Sequence, residues 1–129
     1  MESLALLATA ALFGGMTLYS AGFAGFLFKV LPADTAGASL RRAFPVFYLL
    51  VMVFSTIGGI ALAFSDVAGA MLLGLITVTT IPTRQVLMPA INQANDRGEK
   101  RRFAVLHGLS VVITLAHIMI TAWVLIRFL

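Results

Sequence analysis

The stretch FAVLHGLSVVITLAHIMITAWVLI, Phe103 to Ile126, contains no charged residue. A helix needs about 20 apolar residues to cross the hydrocarbon layer, and this run exceeds that. Yet His107, Ser110, Thr114, His117 and Thr121 recur within it at steps of three and four. At about 100° per residue these five side chains fall within an arc of roughly 80°. Polar groups avoid lipid, so this face is expected to look into protein or water. The fourth helix is therefore the expected wall of any site.

Three further stretches are long and apolar enough to span: Leu4 to Phe28, Ala43 to Ser65, and Val67 to about Asn95. The whole chain of 129 residues is 60% hydrophobic and only 11% charged, with a mean hydropathy of +1.03. Soluble domains carry far more charge. The expected fold is all-α: a polytopic membrane protein, an antiparallel bundle of four transmembrane helices forming one domain over residues 1–129. Little sequence remains for a soluble domain.

There are no cysteines, which excludes disulfides, thiolate metal sites and cysteine catalysis. The net charge of +4 does not indicate nucleic-acid binding, because the basic residues sort by side of the membrane. Lys29, Arg41 and Arg42 flank connection one, and Arg97, Lys100, Arg101 and Arg102 lie around connection three. The opposite side has Glu2, Asp66 and Arg127. The positive-inside rule places connections one and three in the cytoplasm and both termini outside; the expected location is a bacterial inner (plasma) membrane. With Glu2 and no basic leader, the first segment is expected to be an uncleaved span.

Helix one carries a stripe of small residues, Ala8, Ala11, Gly15, Gly22 and Gly25, with Leu18 on the same face. Small residues permit close backbone approach, so this face is expected to pack. Pro32 should stop the helix, and Asp34 or Thr35 should cap a short interfacial helix running through Leu40 to Arg42 near lipid phosphates. Pro45 then suits the first turn of helix two. The turn at residues 65–69 forces an antiparallel hairpin with Asp66 as a cap. Helix three is the least regular, with Pro82, Arg84 and Pro89 inside it and Thr77, Thr79, Thr80 and Thr83 nearby. Two readings stand here: a kink whose threonines bond freed carbonyls, or a broken helix lining a cavity.

The candidate ligand-binding residues are His107, Arg84, Ser110, Thr114, His117 and Tyr48. Counted at about 1.5 Å per residue, Arg84 lies roughly 6 Å inside the cytoplasmic boundary, with Tyr48 and His107 in the same layer. Arg84, Gln85, Tyr48, His107 and Ser110 are expected to form one pocket on the cytoplasmic half. His117, Thr114, Thr77 and Ser55 fall near the midplane. Competing readings are a snorkelling Arg84 and histidines that merely bridge helices. The two histidines sit about 15 Å apart on one helix and cannot share an ion. The methionines read as packing, and both histidines being on one helix rules out bis-histidine haem ligation between facing helices of one chain. No metal site or cofactor is specified. Membrane-embedded carboxylates, hydrolase triads and phosphate-binding loops are absent from the sequence, so an enzyme is not expected.

Two segments look familiar. Leu31-Pro32, Thr35, Gly37, Leu40, Phe44-Pro45 and Tyr48 form one, and Leu106-His107-Gly108-Leu109-Ser110 the other. With Phe26-Leu27-Phe28-Lys29 ending helix one and Met88-Pro89-Ala90-Ile91-Asn92 ending helix three, the chain resembles the transmembrane protein 205-like family. That resemblance implies four membrane helices, and the link of a eukaryotic member to metal-drug resistance suggests transport or trafficking. It bears most directly on His107 and Ser110. Members with cysteines differ from this chain, which has none. The first functional expectation is binding or helping to move a small solute or metal, in an oligomer because so small a bundle encloses no wide pathway. The second is a non-catalytic accessory or assembly subunit of a larger membrane complex. Haem or redox work ranks third.

Overall fold

The computed structural model describes residues 1–129, and every regular element in it is helical. Four helices are long and apolar enough to cross a membrane: α1 (Glu2–Val30), α2 (Ala33–Leu62), α3 (Val67–Asp96) and α4 (Lys100–Ile126). The connections are short, so neighbours run antiparallel. Helix α1 packs on α2, α2 on α3, α3 on α4, and α4 closes back on α1. The chain is a polytopic four-helix bundle.

The core is built from all four helices. Ala5, Leu12 and Met16 of α1 meet Phe47, Tyr48, Val51, Ala61 and Leu62 of α2, Leu73 and Ile76 of α3, and Val124 of α4. Tyr19 stacks on Phe47 at 4.8 Å between ring centroids, with Phe44 edge-on to both. A smaller cluster of Leu27, Ala36 and Leu40 ties the end of α1 to the start of α2.

That cluster helps explain a departure from expectation. The short interfacial helix and helix two are one continuous helix from Ala33, with Pro45 in its interior rather than in its first turn. Proline removes one backbone donor and clashes with the preceding turn, which in water breaks helices at about 3 kcal/mol. In a bundle, tertiary contacts hold the helix together across the break. Here they are the Leu27–Ala36–Leu40 packing and the Arg41 guanidinium, which donates to Asp96 at 2.7 and 3.3 Å and to the Asn92 carbonyl at 3.1 Å. Arg41 is thus engaged by α3.

The small-residue face of α1 also differs. A Cβ added at Gly15 or Gly25 would meet nothing within 4 Å, and one at Gly22 only its own Leu18. Ala8 is buried, but Ala11, Gly15, Gly22 and Gly25 are exposed. The buried row is Ala5, Ala8, Leu12 and Met16, set by the larger side chains. Close approach occurs instead at Gly58 of α2, where a Cβ would lie 2.8 Å from a Leu73 methyl and 3.4 Å from the Thr9 hydroxyl. At adjacent Gly59 an added Cβ would lie 3.4 Å from the Ala70 carbonyl oxygen of α3.

Two π-helical turns interrupt the helices, Leu18–Phe23 in α1 and Thr83–Leu87 in α3. The second lies between Pro82 and Pro89. At the ends, Asp66 caps α3 by accepting from the Gly69 amide at 3.1 Å, as its sequence position suggests. Arg127 donates two hydrogen bonds of 2.7 Å to Asp66. Those contacts hold the Asp66 carboxyl down at about 2, the arginine first and the Gly69 amide next.

Candidate functional site

Polar side chains inside an apolar bundle must find partners, and α3 supplies most of them. Its threonines divide between two neighbours. Toward α2, Thr77 Oγ1 lies 2.7 Å from Ser55 Oγ and 3.2 Å from Thr56 Oγ1. Toward α4, Thr79 Oγ1 lies 2.8 Å from His117 Nε2. The Thr79 hydroxyl has a single proton and also lies 2.7 Å from the Leu75 carbonyl. With its proton on that carbonyl the hydroxyl accepts from His117 Nε2–H; with its proton on Nε2 it donates to the imidazole, and the direction follows the tautomer. Thr80 and Thr83 return their protons to carbonyls four residues earlier, at 2.6 and 2.8 Å.

Arg84 sits in the π-helical turn of α3, half-buried. Its Nε–H donates to the Pro45 carbonyl of α2 at 3.0 Å. The other four N–H donors of the guanidinium have no acceptor within the chain. The helix continues past the π-helical turn through Pro89 to Asp96, and Asn92 lies eight positions beyond Arg84. That is about 12 Å along the helix axis. The segments of all four helices at membrane depth contain no Asp or Glu to balance this charge.

The polar arc of α4 resolves into a gradient. His117, Ser110 and Thr121, at one side of the arc, are buried. Thr114 is half-buried, and His107, at the other side, is exposed with its ring stacked on Phe103 at 5.5 Å. Ser110 donates to the His107 carbonyl at 2.7 Å. Tyr48 is buried among Phe44 and Phe47, at 6.0 and 5.3 Å between centroids. Gln85 is exposed.

The expected pocket of Arg84, Gln85, Tyr48, His107 and Ser110 is therefore not assembled within one chain. Arg84 is engaged by α2, and His107 belongs to the outer surface of α4. Of the four residues expected near the midplane, the structure brings Ser55 onto Thr77, sets His117 on α3, and gives Thr114 no hydrogen bond to another helix. The partner of His117 is Thr79, which the sequence reading treated only as a neighbour of the prolines. The signal was present: with Thr77 facing α2, a residue two positions on turns by about 200° and faces the other neighbour. The Pro45 carbonyl had no such signal.

No three imidazole or carboxylate side chains converge on one point. Two open depressions lie at the ends of the bundle. One of about 580 Å³ is lined by Glu99, Lys100, Arg101, Arg102 and Val105. The other, of about 500 Å³, includes Glu2, Asp66 and Arg127.

The model of one protein family, described as a domain of unknown function (DUF4149), matches residues 7–100. No curated protein and no solved structure matches the chain. The matched residues include Tyr48, the α3 threonines and Arg84, and stop at the first residue of α4.

Proposed function

The chain belongs to the DUF4149 family, a domain of unknown function, and we propose that it is a non-catalytic protein that binds a small solute within the bilayer and helps to move it. The observation that carries this reading is the π-helical turn Thr83–Leu87, placed between Pro82 and Pro89, with a charged Arg84 in it. A charge at membrane depth is costly, by about 2.5–3.5 kcal/mol on insertion scales, and marks solute and ion pathways. Irregular backbone at that depth is found where it lines a cavity or is buried in protein. The resemblance to the transmembrane protein 205-like family supports the same reading through its suggested link to transport. One bundle is too small to enclose a pathway, so the reading requires more than one copy.

We place the protein in a bacterial inner membrane with both termini outside the cytoplasm. The Arg41–Asp96 pair joins the beginning of α2 to the end of α3, which gathers Lys29, Arg41, Arg42, Arg97, Lys100, Arg101 and Arg102 at one end of the bundle. Cysteines introduced at Asp34 and Asp66 test the orientation. Labelling of the Asp66 variant from the cytoplasm reverses it.

The functional test is flux into proteoliposomes of three labelled probes: phosphate, acetate and glycerol. Uptake of at least one above empty liposomes, reduced in Arg84→Gln, is expected. Uptake equal to empty liposomes for all three overturns the proposal.

A second reading, an accessory or assembly subunit or a homo-oligomer, has its own observation. The outward face of α1 at Ala11, Gly15, Gly22 and Gly25 is unpacked, and small residues at such a face admit another helix. Gly15→Leu and Gly22→Leu should then lower the mass of the complex in native mass spectrometry while leaving the monomer folded. Unchanged mass sets this reading aside.

A further inference from the structure

We infer that Arg84 is the anchor of an oxyanion site on the seam between α2 and α3, and that the group it takes is a phosphate. The proposal deepens the solute-binding reading and rests on it for its purpose in the membrane.

Three arginines of the bundle differ in what their guanidinium groups meet. Arg127 meets Asp66 through two donors at 2.7 Å. Arg41 meets Asp96 through two donors and also reaches across to a backbone carbonyl, that of Asn92 on the facing helix. Arg84 repeats part of the Arg41 arrangement on the same α2–α3 seam. It too crosses to a backbone carbonyl, that of Pro45, at 3.0 Å. It lacks the carboxylate. The contact is made through Nε, so both terminal Nη groups keep their protons available as a fork. A planar fork of parallel N–H donors fits two oxygens of one phosphate or carboxylate. A neutral carbonyl orients the guanidinium but leaves its charge unbalanced, and in a low-dielectric setting the charge makes a matching anion strongly favoured.

Surroundings favour a group approaching from outside the chain. Arg84 is half-buried, so part of it is reachable from the flank of the bundle. Phosphate is preferred to carboxylate because it keeps acceptor oxygens beyond the pair the fork engages. Two sources carry that chemistry, soluble inorganic phosphate and the headgroup of an anionic phospholipid.

The test is thermal unfolding of the purified full-length chain. Inorganic phosphate is titrated in dodecyl maltoside against sodium chloride of equal ionic strength. In parallel, nanodiscs of phosphatidylglycerol are compared with nanodiscs of phosphatidylcholine. A ligand that binds only the folded state raises the midpoint with its concentration. The expected result is a rise for wild type and for Lys100→Gln that is absent in Arg84→Gln. A rise with phosphate in detergent identifies the soluble source, and a rise only in phosphatidylglycerol identifies the headgroup. Arg84→Lys keeps the charge without the fork and should weaken binding about tenfold, which decides the matter if Arg84→Gln does not fold. The assignment is overturned if chloride acts as well as phosphate, if neither source shifts the midpoint, or if either Arg84 variant responds like wild type. Flux of any probe without phosphate binding at Arg84 removes the oxyanion site and leaves the solute reading. Phosphate binding without flux of any probe leaves the site and removes the movement.

Discussion

Gly58→Ala probes the closest helix contact in the bundle. The added Cβ would lie 2.8 Å from the Leu73 methyl, against an optimum of about 3.5–4.0 Å between carbons. Leu73 is completely buried, and Gly59 beside the contact already faces the Ala70 carbonyl. The Leu73 methyl, the end of a flexible side chain in a fully buried setting, has to shift by several tenths of an ångström. Overpacking of this kind costs about 1–3 kcal/mol. The greater helix preference of alanine offsets up to about 1 kcal/mol. A net loss of about 1 kcal/mol remains, a factor of about five in the folded-to-unfolded ratio. Gly15→Ala is the control, because its Cβ meets nothing within 4 Å. Equilibrium unfolding in mixed dodecyl sulfate and dodecyl maltoside micelles, followed by helix content, gives both values. Repeating Gly58→Ala in a Leu73→Ala background removes the methyl that obstructs, so the loss should disappear. If Gly58→Ala is as stable as Gly15→Ala, or if its loss persists without Leu73, the packing described for α2 and α3 is wrong.

Removing the Thr79 hydroxyl with Thr79→Val should leave His117 Nε2 without its hydrogen-bond partner on α3. A double-mutant cycle with His117→Ala is expected to give a coupling of about 0.6 kcal/mol, below about 1.7, as for other hydrogen bonds between membrane helices. His107→Ala, by contrast, should change stability by less than about 0.5 kcal/mol in the same unfolding assay, since the ring lies on the outer surface. The Asp66–Arg127 pair predicts an acid limb. The Asp66 carboxyl is held at about 2 against an ordinary 3.8. Its contribution is therefore present above the ordinary value and is lost as pH falls toward about 2. Unfolding followed from pH 7 to pH 2 should show that fall, reduced in Arg127→Gln.

Much of this was legible in the sequence. Hydropathy alone fixed four spans, because the bilayer imposes length and composition with few alternatives. Asp66 announced itself as a cap by its place before an apolar run. The Ser55–Thr77 layer followed from depth counting. Other features depend on tertiary contacts that no local pattern encodes. Pro45 reads as a helix start, yet the helix runs through it because Arg41 and Leu40 are held from outside the helix. The glycines of α1 read as a contact face, whereas Gly58 and Gly59, two adjacent residues without a stripe, make the contact. The arc of α4 was correct in direction, but a sequence arc has no absolute zero. Once Ser110, His117 and Thr121 are inward, His107 falls at the lipid edge.

The measurement that bears most directly on the central claim is the proximity of Arg84 to phosphorus in a bilayer. With guanidinium nitrogens labelled by ¹⁵N in reconstituted protein, dipolar recoupling to ³¹P reports arginines within hydrogen-bonding range of phosphate. The wild-type signal minus that of Arg84→Lys isolates the Arg84 contribution from that of the other basic residues. The account predicts a positive difference, strongest at the terminal Nη nitrogens and weak at Nε, which the Pro45 carbonyl occupies. A difference of zero, with all recoupling arising from the other arginines, contradicts it.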